Sequence, residues 1–233
     1  EDGLVRAFKG AEVVMHLAAV NGTENFYTRP QLVLEVGVLG ALAVTNAARE
    51  VGVADLVVAS TAEVYQTPAV IPTPETIPLM LPDSLNPRYS YGGSKIVSEL
   101  IAFNYGRDHY RKVQVFRPHN IYGPDMGWKH VEPQFIMRAL AARDAHPDGL
   151  APFHIQGDGT ETRSFCYVSD LIDGIFRLSR SQFHEPVNIG NPREMTIKQF
   201  AEAIKRIIGA QSPIEFRPLP VDDPKVRQPD ITR

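Results

Sequence analysis

Residues 11–20, AEVVMHLAAV, set the fold. The first half is β-branched and apolar and the second half is small. This is the pattern of a buried strand whose carboxyl end must let a ligand come close. Outward from it, residues 31–51 carry apolar side chains at helical spacing and stop at Gly52. Residues 55–60 (DLVVAS) read as a second buried strand, 94–105 as a second helix and 113–117 (VQVFR) as a third strand. Strands alternating with helices of this length predict parallel βαβ units and an α/β sheet. Upstream, residues 3–10 (GLVRAFKG) read as a helix already running into a turn, so the chain is expected to be incomplete at this end.

Residues 66–87 are rich in proline and hold no period, which predicts a long surface excursion between a strand and a helix, of the kind that covers a site. Beyond Gly123 the texture changes. A helix is expected over 131–143, a strand over 153–156, another element through 165–179, a strand over 187–190 and an amphipathic helix over 196–208. The expected division is therefore residues 1–123 as one domain and 124–233 as mainly a smaller second one, with some segments returning to the first sheet.

The chain has 233 residues, 43% hydrophobic and 22% charged, which is ordinary for a globular protein with a real core. A net charge of -3 offers no basic field, so no nucleic-acid partner is expected. No uninterrupted apolar run reaches the roughly 18 residues of a membrane span, and Glu1-Asp2 does not open a signal peptide. No membrane partner, no metal and a cytoplasmic location are the resulting expectations. The single cysteine, Cys166, cannot form an internal disulfide and reads as a small buried apolar residue.

The strongest chemical signal is Tyr91-Gly-Gly-Ser-Lys95, where one helical turn brings a phenol and an ammonium to the same side. An adjacent ammonium favours the phenolate and would make Tyr91 a base near neutral pH. Such pairs are also common on exposed helices, so the context decides. It comes from Ser60-Thr61-Ala62-Glu63-Val64-Tyr65 at the carboxyl end of a strand, where open α/β sheets present ligand-binding groups. A Thr61 hydroxyl there can bind the substrate hydroxyl that Tyr91 deprotonates, with Lys95 holding charge and a cofactor ribose.

Together with these residues, HLAA at 16–19, RPHNIYGP at 117–124, GDGTETRSFCYVSD at 157–170, VNIGNP at 187–192 and DDPKVRQPDI at 222–231 occur in order. In this the sequence resembles the extended short-chain dehydrogenases/reductases, NAD-dependent epimerases and dehydratases of nucleotide-sugars. The resemblance implies a Rossmann-like, doubly wound parallel sheet and a smaller α/β substrate-binding domain. It implies NAD as cofactor, held by Leu17, Ala18, Ala19, Ser60, Tyr91, Lys95 and Pro118. Thr61, Glu63, Tyr91 and Lys95 would be catalytic, and Arg88, Asn120, Arg163 and Arg227 would bind the substrate. It also implies a homodimer through the helices at 31–51 and 94–105, and a UDP-linked sugar as partner.

Three features depart from that pattern. No glycine-rich fingerprint for a dinucleotide pyrophosphate is present, and Gly157-Asp-Gly159 belongs to another motif, so the N-terminal βαβ is expected to lie outside this chain. The sequence also stops soon after PDI. Gly37 stands where relatives carry Asn, which removes a hydrogen-bonding group beside the site. The resemblance implies a first step that oxidises the sugar at carbon 4. Ala62 lacks the acid that a 4,6-dehydratase needs at this place, which disfavours elimination. Ala62-Glu63, Pro87-Arg88 and residues 187–231 look most like UDP-glucuronate decarboxylases. A 4-epimerase remains the nearest alternative, and a non-catalytic nucleotide-sugar-binding relative belongs to a different class. Tyr-Gly-Gly-Ser-Lys and the loop at 123–130 differ from the usual decarboxylase wording. In that loop Trp128 reads as a lid and Phe135 beyond it as core or lid, while His119 reads as either a ligand contact or a satisfied loop histidine.

Overall fold

The computed structural model describes residues 2–145, 151–218 and 226–233. Residues 222–225 of the DDPKVRQPDI motif therefore lie outside the described residues. The order begins α1 (Asp2–Phe8), β1 (Val13–His16), α2 (Thr23–Thr28), α3 (Pro30–Leu34) and α4 (Gly40–Glu50), then β2 (Asp55–Ala59), α5 (Ser90–Gly106), β3 (Lys112–Pro118) and β4 (Ile121–Tyr122). It continues with α6 (Val131–Ala145), β5 (Phe153–Gln156), β6 (Thr162–Ser164), β7 (Cys166–Tyr167), α7 (Val168–Arg180), β8 (Val187–Ile189), β9 (Glu194–Thr196), α8 (Ile197–Ile208), β10 (Ile214–Arg217) and β11 (Val226–Arg227).

The main sheet runs β1-β2-β3-β8, and every pairing in it is parallel. Its apolar strands have period 2, so consecutive residues serve opposite faces. Leu56 and Val58 pack with Val14, Val113, Val115, Ala48 of α4 and Ala102 of α5. Val57 and Ala59 pack with Phe116 and with Ile175 and Leu178 of α7. Helices thus cover both faces at β2, which is why it reads as a continuous apolar run, whereas β1 leaves Val13 and Met15 exposed. Leu56, Val57 and Val115 have no exposed surface; burying each such side chain stabilises the fold by about 1.5–3 kcal/mol. β8 arrives late in sequence and pairs with β3, so part of the chain beyond residue 123 returns to this sheet.

A second layer packs α6 and α8 on β5, which pairs with β10, around Phe135, Phe153, Ile155, Ala201 and Ile204. α8 starts on a capping box, in which Thr196 Oγ1 accepts from Gln199 N and Gln199 returns the bond. It stops at Gly209, whose φ of 79° closes the helix in the left-handed region. Short strands β6, β9 and β11 form a third sheet, and β4 pairs with β7.

Most elements lie where the amphipathic pattern puts them. The stretch from Pro30 to Glu50 is one apolar helix, with a π turn at Glu35–Leu39 joining α3 to α4. At 21 residues and a mean hydropathy of 1.5, it is long and apolar enough to cross a membrane by length and composition. This corrects the sequence expectation, because isolated Glu35, Thr45 and Asn46 interrupt the apolar letters without lowering the average below that of a span. In the fold, Ala41, Thr45, Ala47 and Ala48 of this helix are buried. The excursion at 66–87 is tied down rather than loose. Thr73 N donates to Gln228 O, Asp230 N to Thr73 O, and Asn188 Nδ2 to Thr73 O and Asp230 O.

Between β3 and α5, Arg117 forks onto Glu99 with Nε–Oε1 at 2.9 Å and Nη2–Oε2 at 2.7 Å, both side chains buried. Removing one member of such a pair leaves an uncompensated interior charge. Glu99→Ala is therefore expected to cost about 3–5 kcal/mol in chemical denaturation.

Candidate active site

The carboxyl ends of β2 and β3 and the start of α5 meet at one cavity of about 750 Å³, within the usual range for a small-molecule site. Thr61 is the extended residue that begins a short 3-10 turn, Ala62–Val64, and its Oγ1 accepts from Glu63 N at 3.2 Å. Thr61 and Tyr91 line the same cavity, where the Thr61 hydroxyl acts on the Tyr91 phenol to lower its pKa. The two elements approach closely because Gly92 has no side chain. A Cβ there would lie 2.6 Å from Gln66 Nε2 and 3.0 Å from Glu63 O.

Tyr91 is 7% exposed. Its pKa is pushed up to about 12, first by burial, while the Thr61 hydrogen bond lowers it and the Glu63 charge raises it. Lys95 Nζ sits 6.0 Å from the centre of the Tyr91 ring and donates to Ala59 O at 2.8 Å. Burial pulls the ammonium down to about 8 against the opposing charge of Glu99. Contrary to the sequence expectation, Lys95 does not figure among the groups that move the Tyr91 phenol, and burial holds the phenol above its ordinary value. His16, at the end of β1, is held neutral, down to about 4, by burial and by Lys95.

Glu63 is the centre of the opposite wall. Arg88 Nη1 donates to Oε2 at 2.8 Å and Arg88 Nη2 to Oε1 at 3.2 Å, while Arg227 Nη1 donates to Oε1 at 2.7 Å. Burial pushes this carboxyl up, but the charges of Arg227 and Arg88 and their hydrogen bonds outweigh burial and hold it at about 2. Glu63 is thus a fixed anion with little affinity for a proton. Among the described residues, Nε and Nη2 of Arg227 are buried without a hydrogen-bond partner.

The other residues singled out from sequence fall into two groups. Thr61, Glu63, Arg88, Tyr91, Pro118, Asn120, Arg163 and Arg227 all line the cavity. Asn120, at a φ of 42°, donates through Nδ2 to Ser164 O at 3.0 Å. Arg163 Nη1 donates to Thr162 O at 2.8 Å. Ser60 does not reach the cavity, because its hydroxyl donates inward to Glu99 Oε1 at 2.5 Å. Leu17 and Ala18 lie exposed just past β1, while Ala19 packs beneath Tyr91. Lys95 stands behind Tyr91. Trp128 is 76% exposed and does not line the cavity, although its neighbours Gly127 and Lys129 do. Phe135 serves both core and cavity. His119 is buried and turned from the cavity toward Asn188. Gly37 is filled by Ser94, whose Oγ would lie 2.5 Å from a Cβ there. Gly37 O accepts from Ser98 Oγ.

Phe26 was not singled out from the sequence. It is buried, lines the cavity and stacks on Tyr91 with ring centres 5.0 Å apart and planes 8° apart. Its only sequence signal is an aromatic residue in a short polar stretch.

Residues 1–190 match the family model described as "NAD dependent epimerase/dehydratase family". The chain belongs to that family. Among curated relatives it is similar to UDP-glucuronic acid decarboxylase 5 of Arabidopsis thaliana, 35% identical over 223 residues covering 94% of this chain and 62% of the relative. It is similar as well to UDP-glucuronic acid decarboxylase 1 of Danio rerio, 35% identical over 222 residues, covering 94% of this chain and 51% of that protein. The chain thus spans between about half and three fifths of the length of these relatives. Among solved structures it matches a UDP-glucose 4-epimerase with UDP-glucose from Thermotoga maritima at a TM-score of 0.86 and 26% identity, over 99% of this chain and 72% of that one. That neighbour and the family model establish the Rossmann-type parallel α/β fold.

Two outcomes follow from the geometry. Gly92→Ala is expected to lower both the melting temperature and the activity of the full protein, because backbone at Glu63 must move. The depressed Glu63 contributes stability that is present above its ordinary value of 4.5 and lost as pH falls through about 2. Thermal melts of the parent should therefore weaken more steeply across that acid window than melts of Glu63→Gln.

Proposed function

We propose that the full-length protein is an NAD-dependent nucleotide-sugar enzyme that oxidises carbon 4 of the sugar transiently, and that its substrate is UDP-glucuronate, which it decarboxylates. The observation that carries this is the Thr61 hydroxyl and the Tyr91 phenol lining the same cavity as the Glu63 carboxylate clamped by Arg88 and Arg227. The relatives named UDP-glucuronic acid decarboxylase support the choice of substrate.

The residues present fit the nicotinamide half of NAD. Lys95 is 2% exposed and makes one hydrogen bond, to Ala59 O, so its ammonium retains N–H groups for ribose hydroxyls. The small Ala18 and Ala19 leave the end of β1 open. Bound NAD supplies the hydride acceptor and a positive charge of its own.

Within the chain, Tyr91 takes the proton from the carbon-4 hydroxyl while Thr61 holds that hydroxyl in line. A phenol held near 12 in the unliganded chain needs added positive charge to act at neutral pH, so activity should require a filled cofactor site. The product of oxidation is a β-keto acid. Its carbon–carboxylate bond breaks with the electron pair flowing into the ketone, carbon dioxide leaves, carbon 5 gains a proton, and returning hydride restores the carbon-4 alcohol. The sequence is redox-neutral. Glu63 takes no proton in it and serves to fix Arg227, whose unpartnered Nε and Nη2 suit carboxylate or phosphate oxygens. Arg88, Asn120 and Arg163 complete the anion-binding wall, with residues 1–123 carrying the cofactor and 124–233 mainly the nucleotide.

A second reading, 4-epimerisation, is favoured by Ala62 together with the proton-poor Glu63, because neither offers the acid that elimination would need. A homodimer is part of the proposal. Leu34, Leu39, Val97, Leu100 and Tyr105 are exposed on the two adjoining helical stretches.

Incubation of the full-length protein with NAD and UDP-glucuronate, read by mass spectrometry and NMR, separates the outcomes. Loss of carbon dioxide supports decarboxylation, whereas unchanged mass with inverted carbon 4 supports epimerisation. No turnover across a nucleotide-sugar panel would leave a binding role only. Tyr91→Phe is expected to lower kcat by at least ~100-fold, and parent-like turnover by that variant would remove Tyr91 from the chemistry.

A further inference from the structure

The Tyr91 phenol shares a cavity with the Thr61 hydroxyl, but a neighbouring hydroxyl alone does not fix the plane of a ring. That plane is set by Phe26. α2 is a short helix entered through Gly22 at a φ of 103°, a turn that points Phe26 inward beneath α5. There the ring is 2% exposed and forms a small cluster with Val33, Tyr91, Ala19 and Val20. Its centre lies 5.0 Å from that of Tyr91 at an interplanar angle of 8°, a spacing that requires offset stacking. The same ring carries the Arg88 guanidinium carbon 5.3 Å from its centre, and Arg88 is the residue that forks onto Glu63.

We propose that Phe26 is a positioning residue for the proton-transfer step, its ring fixing the plane of Tyr91 against Thr61 and coupling that plane to the Arg88–Glu63 pair. The inference rests on the reading of Tyr91 as the proton-transfer group, although the placement of the ring does not. Around Tyr91 the charged and titratable groups are Glu63 beyond Thr61, Lys95 on its own helix, Arg88 across Phe26, and His16 beside Lys95. None of these confines the ring plane as a stacked neighbour does. Phe26 also helps to keep water from the phenol, which is the first cause of its raised pKa.

Three variants of the full-length protein test this. Phe26→Leu keeps an apolar filling and removes the flat face, so kcat should fall about tenfold with KM for the nucleotide-sugar changed less than about threefold. Phe26→Tyr keeps the face and should restore kcat to within about twofold of the parent. Phe26→Ala opens the phenol to water. The tyrosinate absorbance that distinguishes this protein from its Tyr91→Phe counterpart should then appear about one pH unit or more below its position in the parent, because burial is the first cause of the raised pKa.

A rise in KM with kcat unchanged in Phe26→Leu would make Phe26 a substrate contact and overturn the proposal. So would an unmoved Tyr91 titration in a folded Phe26→Ala protein. If Phe26→Ala does not fold, the kinetics of the Leu and Tyr variants decide. If the parent turns over no nucleotide-sugar, the function proposed above fails while the absorbance titration still decides the role of Phe26.

Discussion

The arrangement of the site depends on one buried carboxylate. Glu63 accepts from Arg88 and from Arg227, two residues delivered by segments that have nothing else in common in sequence. A lone carboxylate at this depth would be costly, and two guanidinium partners are what make it tolerable. The pairing draws the end of β2, the turn before α5 and β11 to a single point. The cavity between the main sheet and the second layer takes its charge from that convergence. The ion pairs here matter less for net stability than for the place in which they fix the three strands of chain.

Around this anchor, burial and charge pull in opposite directions. Desolvation raises Tyr91 and lowers Lys95, the reverse of what a base and its supporting cation would need in isolation. The phenol is thereby held above its ordinary pKa and the ammonium below its own. Glu99 offsets part of the loss at Lys95 and is itself compensated by Arg117, so the pair is supported from beneath by a second buried ion pair.

The sheet was legible in the sequence because β2 and β3 are buried on both faces; β2 is almost wholly apolar, and β3 carries Val113, Val115 and Phe116 between its polar residues. α5 and α8 were legible for their spacing. α2 was not, since six residues hold less than two turns and show no period. β6, β9 and β11 were missed because two- and three-residue strands are defined by their partners rather than by their own composition. In the site, Tyr91 and Lys95 are four positions apart and announce themselves as a helical pair. The inward turn of Ser60 toward Glu99 is not visible in the same way, because a serine at a strand end can point to either side. The stacking of Phe26 on Tyr91 bridges 65 positions without any local pattern, and the sequence reading passed over it.

Glu63 and Arg227 are separated by 164 positions. During synthesis, the turn that bears Glu63 leaves the ribosome long before its second guanidinium partner exists. The first βαβ units can collapse early, since their contacts are near neighbours along the chain. The wall of the cavity around Glu63 cannot reach its final electrostatic state until β6 is in place and β11 has docked beside it. Maturation of the pocket is thereby coupled to late translation, and a nascent chain carries the nucleus of the fold without a finished ligand chamber.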